Sequence, residues 1–131
     1  MSQENVEIVR RMYEAFADGD AAAALGFIDP KIVMDATHRV DGHIGHGLEE
    51  MVAILAEWFG TWEEWRQDVE EIRDLGDRVL VISTQQGIGV RSGIEWQNRF
   101  AMIYELEGGT ITRWTIYDDL REALEAVGLS E

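Results

Sequence analysis

Residues 78–117 read RVLVISTQQGIGVRSGIEWQNRFAMIYELEGGTITRWTIY, and this stretch decides the fold. It is rich in β-branched and aromatic residues and is punctuated by glycine-containing turn signals. The turns, Arg91-Ser92-Gly93 and Gly108-Gly109, divide it into three predicted strands at residues 78–90, 93–107 and 110–117. Strands joined by such short turns pair as antiparallel neighbours, and strands this long must twist and curl. We therefore predict a curved antiparallel sheet.

Helices precede and follow these strands. Apolar residues at Val6, Val9, Tyr13 and Phe16 repeat with helical spacing and predict a helix over residues 3–17. The remaining predicted elements are helices at 20–28, 48–60 and 120–127, strands at 31–36 and 65–74, and a loop at 37–47. Helices first, then antiparallel strands, then a final helix is α+β order. A length of 131 residues predicts one domain over residues 1–131.

Charge and composition exclude several classes of partner. The formal net charge is −15, so the surface repels nucleic-acid phosphates and anionic lipids, and we expect neither nucleic acid nor membrane as a partner. Cysteine is absent, which excludes disulfides, thiol nucleophiles and cysteine metal sites. The acidic, amphipathic start of the chain is unlike a signal peptide, so we expect a cytoplasmic protein. We expect no cofactor, because the sequence holds no nucleotide fingerprint or phosphate-binding glycine loop.

Three segments carry a resemblance to a known family. They are residues 13–20 in the first helix, residues 45–48 at the entry to the third helix, and the tail from Gly108 to Leu129. Through them the chain resembles the SnoaL-like branch of the nuclear transport factor 2-like superfamily, which is related to ketosteroid isomerases. The resemblance implies a cystatin-like α+β barrel, in which a cone-shaped curved sheet wraps around N-terminal helices and encloses a small-molecule pocket. It does not fix the function, because this superfamily includes isomerases, cyclases, epoxide hydrolases, dehydratases and non-catalytic binding proteins.

The catalytic pattern of ketosteroid isomerases is only partly present. By resemblance, Asp35 lies where their carboxylate base would be, and Met12 and Ala101 lie where their oxyanion donors would be. A base without an oxyanion hole lacks what is usually the largest catalytic contribution, so this sequence argues against steroid isomerisation.

Two other enzyme patterns give different answers. The catalytic arginine and two aspartates of limonene-type epoxide hydrolases align with Ser83, Gln85 and Ile116, so that mechanism is excluded. Polyketide cyclases of the SnoaL type place an acid/base aspartate between the last strand and the last helix, where Asp118 and Asp119 lie. That mechanism stays open, with Asp118 as the candidate acid/base. One of the two aspartates is also expected to be the N-cap of the last helix.

Strand alternation sorts the pocket candidates into faces. By resemblance, the faces that carry Gln85, Arg99 and Trp114 look into the cone, with Asp118 continuing the face of Trp114. The pocket would then be mainly apolar with few polar groups, as small-molecule sites are. The predicted ligand-binding residues are Arg99, Gln85, Trp114, Tyr13 and His46.

The role of Asp35 is open between two possibilities. It is either a general base whose pKa burial raises, or a structural carboxylate paired with Arg99. The histidines His38, His43 and His46, with Asp35 and Asp41 nearby, match no recognised metal-ligand spacing, so we expect no metal.

The strand that carries Trp96 also predicts an interface. Trp96, Phe100, Met102 and Tyr104 alternate along it, opposite the face assigned to the pocket. An apolar stripe on the outside of a sheet must be covered, so a homodimer through the sheet is predicted.

Two functional hypotheses follow from the sequence. The chain is a cofactor-independent isomerase, cyclase or lyase that transfers protons on an apolar cyclic or polyketide-like metabolite, with Asp35 or Asp118 as the catalytic group. Alternatively, it is a non-catalytic module that binds a small apolar acid through Arg99.

Overall fold

Four helices and six strands make up the computed structural model, which describes residues 2–39 and 42–129. The helices are α1 (Ser2–Ala17), α2 (Ala21–Leu25), α3 (Leu48–Gly60) and α4 (Leu120–Ala126). The strands are β1 (Ile28–His38), β2 (Ile44–His46), β3 (Trp62–Asp74), β4 (Arg78–Gly89), β5 (Glu95–Glu107) and β6 (Thr110–Tyr117). None of the helices in these ranges has the length and apolar character needed to cross a membrane.

The strands form one open sheet in the order β2-β1-β6-β5-β4-β3. All neighbours are antiparallel except β1 and β6, which run parallel. The α+β, cone-like fold is therefore confirmed, but the sheet is mixed where the sequence predicted an antiparallel one. The reason is that β1 and β6 are joined through most of the chain, so no hairpin turn between them sets their relative direction.

The beginning of β1 also differs from the prediction. The predicted helix over 20–28 ends at Leu25, and β1 starts at Ile28 although Pro30 follows two residues later. Pairing with β6 is irregular between Ile28 and Val33, which accommodates a residue that has no N–H to donate. Within the predicted loop, Ile44–His46 forms the short strand β2 on β1.

Two apolar clusters lie on the two faces of the sheet. The inner cluster joins the N-terminal helices to the concave face, with Val9, Met51 and Phe100 among its buried members. The outer cluster is smaller and lies under α4, where Ala123 and Leu124 pack with Leu80, Ile82, Ala101 and Ile103. The helices thus divide the sheet into an inner face that surrounds a cavity and an outer face that α4 partly covers.

The face assignment of β5 was wrong. Phe100, Met102 and Tyr104 belong to the inner cluster, whereas Ala101 and Ile103 belong to the outer cluster. Because residues 100–104 are all buried, alternation separates two sets without showing which set meets the helices. The apolar stripe is therefore core and not an exposed patch. The homodimer stays a prediction, without this support.

Candidate functional site

A cavity of about 350 Å³ lies between α1, α2, α3 and the inner face of the sheet. Its wall is overwhelmingly apolar and includes the rings of Trp58, Trp65 and Trp114. Phe16 and Val52, also on the wall, are 38% and 42% exposed and lie on the side that opens to solvent. This size and lining are those of small-molecule sites, whose volumes run from about 300 to 1,000 Å³.

Besides the indole N–H groups of its tryptophans, five side chains bring polar groups to this wall: Tyr13, Arg39, Gln67, Gln85 and Tyr104. The two hydroxyls, the guanidinium and the Gln85 amide contact partners within the protein, and Gln67 does so through its oxygen. Trp114 Nε1, also on the wall, is buried without a hydrogen-bond partner among the described residues.

Two tyrosines from opposite sides of the cavity share a hydrogen bond. The hydroxyl oxygens of Tyr13 on α1 and Tyr104 on β5 are 2.6 Å apart, and Met102 Sδ lies 3.2 Å from Tyr13 Oη. Burial raises the pKa of both hydroxyls, so both keep their protons at neutral pH. The pair is therefore a neutral polar point within an apolar wall, and Tyr13 lies on the cavity as predicted from the sequence.

Three side chains on β3 and β4 form an amide network. Trp65 Nε1 donates to Gln85 Oε1 over 3.1 Å, and Gln85 Nε2 donates to Gln67 Oε1 over 3.4 Å. Ser83 Oγ also donates to Gln67 Oε1, over 3.2 Å. Gln85 is on the wall as predicted, whereas Gln67 was not predicted because its strand is otherwise charged and half-exposed.

Arg39 is a further site residue that the sequence analysis missed. It follows β1 directly, and its Cζ lies 4.4 Å from the centroid of the Trp58 ring, a cation–π distance. Burial lowers the pKa of Arg39, while the charges of Asp118 and Glu57 act in the opposite direction. A guanidinium stays charged regardless. Arg39 thus brings a cation to the wall, and a lone arginine in a predicted loop carried no signal of this position.

Asp35 is not on the cavity wall. It lies on the outer face of β1, 8% exposed, where Arg113 Nη2 donates to Oδ2 over 3.2 Å and the Thr37 backbone N–H donates to Oδ1 over 2.9 Å. Burial acts to raise the pKa of Asp35, but the bonds from Thr37 and the charges of His38 and Arg113 outweigh it and hold the pKa below its usual value. The structure thus supports the structural alternative, with Arg113 as the partner in place of Arg99.

Arg99 also lies away from the cavity. Its guanidinium is 3.0 Å from Glu70 Oε1, and both side chains are solvent-accessible on the outer face. The prediction that Arg99 faces the pocket is wrong. The even-numbered residues of β5 face the helices, so the odd-numbered Arg99 lies on the outer face.

Of the remaining predicted site residues, His46 and Asp118 lie outside the wall, whereas Trp114 is part of it. His46 is exposed on β2, and its backbone N–H bonds to Glu50 Oε1. Asp119 is the N-cap of α4, which leaves the preceding Asp118 half-buried with its charge close to Arg39. Trp114 does line the cavity, stacked at 5.6 Å on Tyr104. The structure therefore brings Tyr13, Gln85 and Trp114 together.

No cluster of metal ligands is found among residues 2–39 and 42–129. His38 Nδ1 lies 3.0 Å from Glu122 Oε1, and its ring stacks on Tyr117. Asp41, considered as a ligand from the sequence, lies outside the described residues.

Comparison with solved structures finds the same fold in several proteins. A nuclear transport factor 2-like protein of unknown function from Burkholderia pseudomallei is 22% identical, with a TM-score of 0.77 over 95% of this chain and 98% of that one. A protein from Jannaschia, provisionally described as a SnoaL-like polyketide cyclase, is 20% identical, with a TM-score of 0.78 over 98% and 94%. TerC, crystallised with polyporic acid, is 21% identical, with a TM-score of 0.76 over 95% and 98%. At these identities the likeness shows the fold.

Sequence comparison identifies the family. No curated protein matches the chain. The sequence profile of the SnoaL-like domain, however, matches residues 9–114, which span α1 to β6 and include most of the cavity wall. The chain therefore belongs to the SnoaL-like domain family.

Proposed function

We propose that this chain binds a small, largely apolar organic molecule in the cavity between the helices and the inner face of the sheet. The observation that carries the proposal is the cavity itself, about 350 Å³ of space with an aromatic wall and few polar groups. Filling such a space with an apolar molecule removes apolar surface from water, which favours binding by a free energy of about 25 cal/mol per Å² of surface buried. Membership of a family that binds small molecules agrees with this function.

Arg39 is the group that would receive an acidic substituent of the ligand. Of the described wall residues it alone carries a positive charge, and its guanidinium is held against Trp58. An arginine presents paired N–H donors that match a carboxylate. In the binding hypothesis, Arg39 therefore takes the role that the sequence assigned to Arg99. The crystallisation of TerC with polyporic acid agrees with an acid as a ligand for this fold.

The wall favours binding over catalysis. Among the described residues that line it, the titratable side chains are Tyr13, Tyr104 and Arg39, and no carboxylate or imidazole is present. Both tyrosines hold their protons because burial raises the pKa of each, and the arginine cannot act as a base. Proton abstraction needs a base within reach of the substrate, and these three groups do not supply one.

Proton-transfer catalysis by Asp118 is the second candidate function. The favouring observation is that the charge of Asp118 acts on Arg39, so a carboxylate lies near a residue of the wall. The provisional cyclase description of the Jannaschia protein concerns that protein, and it makes the same class of reaction worth testing here. In this hypothesis Asp118 accepts a proton from a carbon acid at the cavity mouth.

A pair of alanines on α3 tests the binding proposal. Ala56 is on the cavity wall at its exposed side, whereas Ala53 is exposed on the same helix and is not on the wall. Ala56→Trp should block entry and lower the affinity for 2-naphthoic acid at least tenfold, and the control Ala53→Trp should leave the affinity unchanged. Isothermal titration calorimetry measures both. Equal affinities for the two variants and the parent protein would show that the acid binds elsewhere.

A further inference from the structure

We propose that the side-chain amide of Gln67 is a fixed hydrogen-bond donor that selects ligands with a carbonyl oxygen. The inference rests on the proposed function, since it concerns a molecule bound in the same cavity. It adds the chemical class of the ligand, which is an apolar, ring-containing ketone or related carbonyl compound. It also adds the residue that discriminates between such a ligand and a hydrocarbon of the same shape.

The donor-to-acceptor direction of the amide network is set first by Trp65. An indole N–H can only donate, so the atom of Gln85 that receives it over 3.1 Å must be the carbonyl oxygen. This fixes the Gln85 amide and turns its NH₂ group toward Gln67, the residue directly opposite on the neighbouring strand. An amide whose oxygen and nitrogen would otherwise be interchangeable is therefore set by an aromatic side chain.

The direction then passes from Gln85 to Gln67. An NH₂ group needs an acceptor, so Gln67 must present its oxygen, 3.4 Å from Gln85 Nε2. Ser83 Oγ donates to the same oxygen over 3.2 Å from a fully buried position. Two donors thus occupy both lone pairs of Gln67 Oε1. Turning the amide over would set its NH₂ group against that of Gln85 and break that bond, and the Ser83 hydroxyl would have to change from donor to acceptor.

The nitrogen of Gln67 is the end of the network that is left for a ligand. No acceptor for Gln67 Nε2 is found among the described residues, although Gln67 lies on the cavity wall. A bound molecule would meet a donor there and not an acceptor. A carbonyl oxygen satisfies that donor, whereas a hydrocarbon leaves it without a partner and displaces its water.

The aromatic surroundings complete the ligand class. Trp65 and Phe59 stand edge to face at 4.9 Å, and both line the cavity with Gln67. Flat ring systems contact such side chains over a large area. A planar ring bearing a carbonyl group therefore matches both the apolar part of this wall and its donor.

Two probes of equal shape test the selection. The two probes share the same planar ring. 2-Acetylnaphthalene carries a C=O group where 2-isopropenylnaphthalene carries a C=CH₂ group. We expect the ketone to bind the unmodified protein about three- to tenfold more tightly, which is the range of one added hydrogen bond. In ¹H–¹⁵N spectra the side-chain NH₂ signals of Gln67 should shift with the ketone and much less with the alkene.

Three variants separate the role of Gln67 from a general loss of binding. Gln67→Met removes the donor and should bring the ratio of the two affinities to about one. Trp65→Phe removes the donor that orients Gln85 and should also lower the ratio, although Gln67 is retained. Gln97→Met, an exposed glutamine on β5 away from the cavity wall, is the matched control and should keep the ratio of the parent protein.

The outcomes distinguish the two proposals. If both probes bind and Gln67→Met keeps the preference for the ketone, the selection by Gln67 is wrong while cavity binding stands. If the alkene binds as tightly as the ketone to the parent protein, the selection is equally wrong. If neither probe binds, the proposed function fails first.

Discussion

Arg113 Nη2 lies 3.2 Å from Asp35 Oδ2, and the pair is on the outer face of the sheet, away from the cavity. The parallel pairing of β1 with β6 produces this contact, because it sets Val33 beside Arg113 and Asp35 beside Thr115. By resemblance, Asp35 is at the position of the ketosteroid isomerase base, but here its carboxylate links β1 to β6. The polar groups that remain on the described cavity wall are neutral hydroxyls, neutral amides, indole N–H groups and one guanidinium.

The first prediction concerns the dependence of stability on pH. The pKa of Asp35 in the folded protein is below its usual 3.8, so its stabilising contribution is complete above about pH 4 and is lost as the pH falls through the folded pKa. Asp35→Asn should cost about 1–2 kcal/mol at pH 7, toward the lower end because the Arg113 side chain is 38% exposed. Thermal unfolding at pH 7, 4 and 2.5 should show that the stability difference between Asp35→Asn and the parent protein becomes smaller as the pH falls.

Asp68→Asn is the matched control for that experiment. Asp68 is exposed on β3, and its replacement should change the free energy of unfolding by less than about 0.5 kcal/mol. A constant difference between Asp35→Asn and the parent protein over this pH range would contradict the paired carboxylate.

A second prediction concerns the tyrosines at high pH. Burial raises the pKa of all three, Tyr13, Tyr104 and Tyr117. Because unfolded tyrosine ionises near pH 10, the folded state should lose stability as the pH rises above about 10. Absorbance at 295 nm and circular dichroism should therefore change together, in one unfolding step. Tyrosinate absorbance of two or three tyrosines that appears near pH 10 in a folded protein would contradict burial of the pair in the cavity.

Replacing Arg39 should separate acids from neutral ligands. Arg39→Met removes the cation on the wall and should weaken 2-naphthoic acid about tenfold, while the affinity for neutral 2-acetylnaphthalene should change less than threefold. Arg39→Lys keeps the charge and should restore part of the loss. Because salt screens the attraction between charges, the preference of the parent protein for the acid over the neutral ketone should decrease with added salt. Equal losses for the acid and the ketone would mean that Arg39 supports the wall and does not bind the acid.

Hydrogen–deuterium exchange distinguishes binding from proton transfer. The methyl protons of 2-acetylnaphthalene exchange in D₂O when a base removes one and solvent deuterium replaces it. Binding without catalysis predicts the same exchange rate with and without protein, followed by ¹H NMR. Exchange that the parent protein accelerates and Asp118→Asn abolishes would favour the second candidate function and make Asp118 the base.

The order of elements was predictable from the sequence because it depends on local signals. Helical spacing at Val6, Val9 and Phe16 indicated α1, and the glycines at 108 and 109 indicated the turn between β5 and β6. The N-cap of α4 was narrowed to two adjacent aspartates, and Asp119 occupies it. Each of these features is set by residues within a few positions of one another.

The composition of the site was less predictable because it depends on contacts between distant segments. The orientation of β5 is decided by which face meets the helices, and residues 100–104 are buried on both sides. The partner of Asp35 is decided by the parallel pairing with β6, for which no local signal exists. The place of Arg39 depends on Trp58 of α3, and the polarity of Gln67 depends on Trp65 and Gln85. Short-range periodicity carries no information on such pairs.

The methyl groups of the methionines test cavity binding most directly. Met12, Met51 and Met102 line the cavity, whereas Met34 is fully buried in the same inner cluster but is not on the wall. With ¹³C-methyl methionine, adding 2-acetylnaphthalene should shift the signals of Met12, Met51 and Met102 and leave that of Met34 nearly unchanged, because ring currents act over short distances. Unshifted cavity methyls at a ligand concentration that saturates binding would contradict the account, since the ligand would then occupy another part of the molecule.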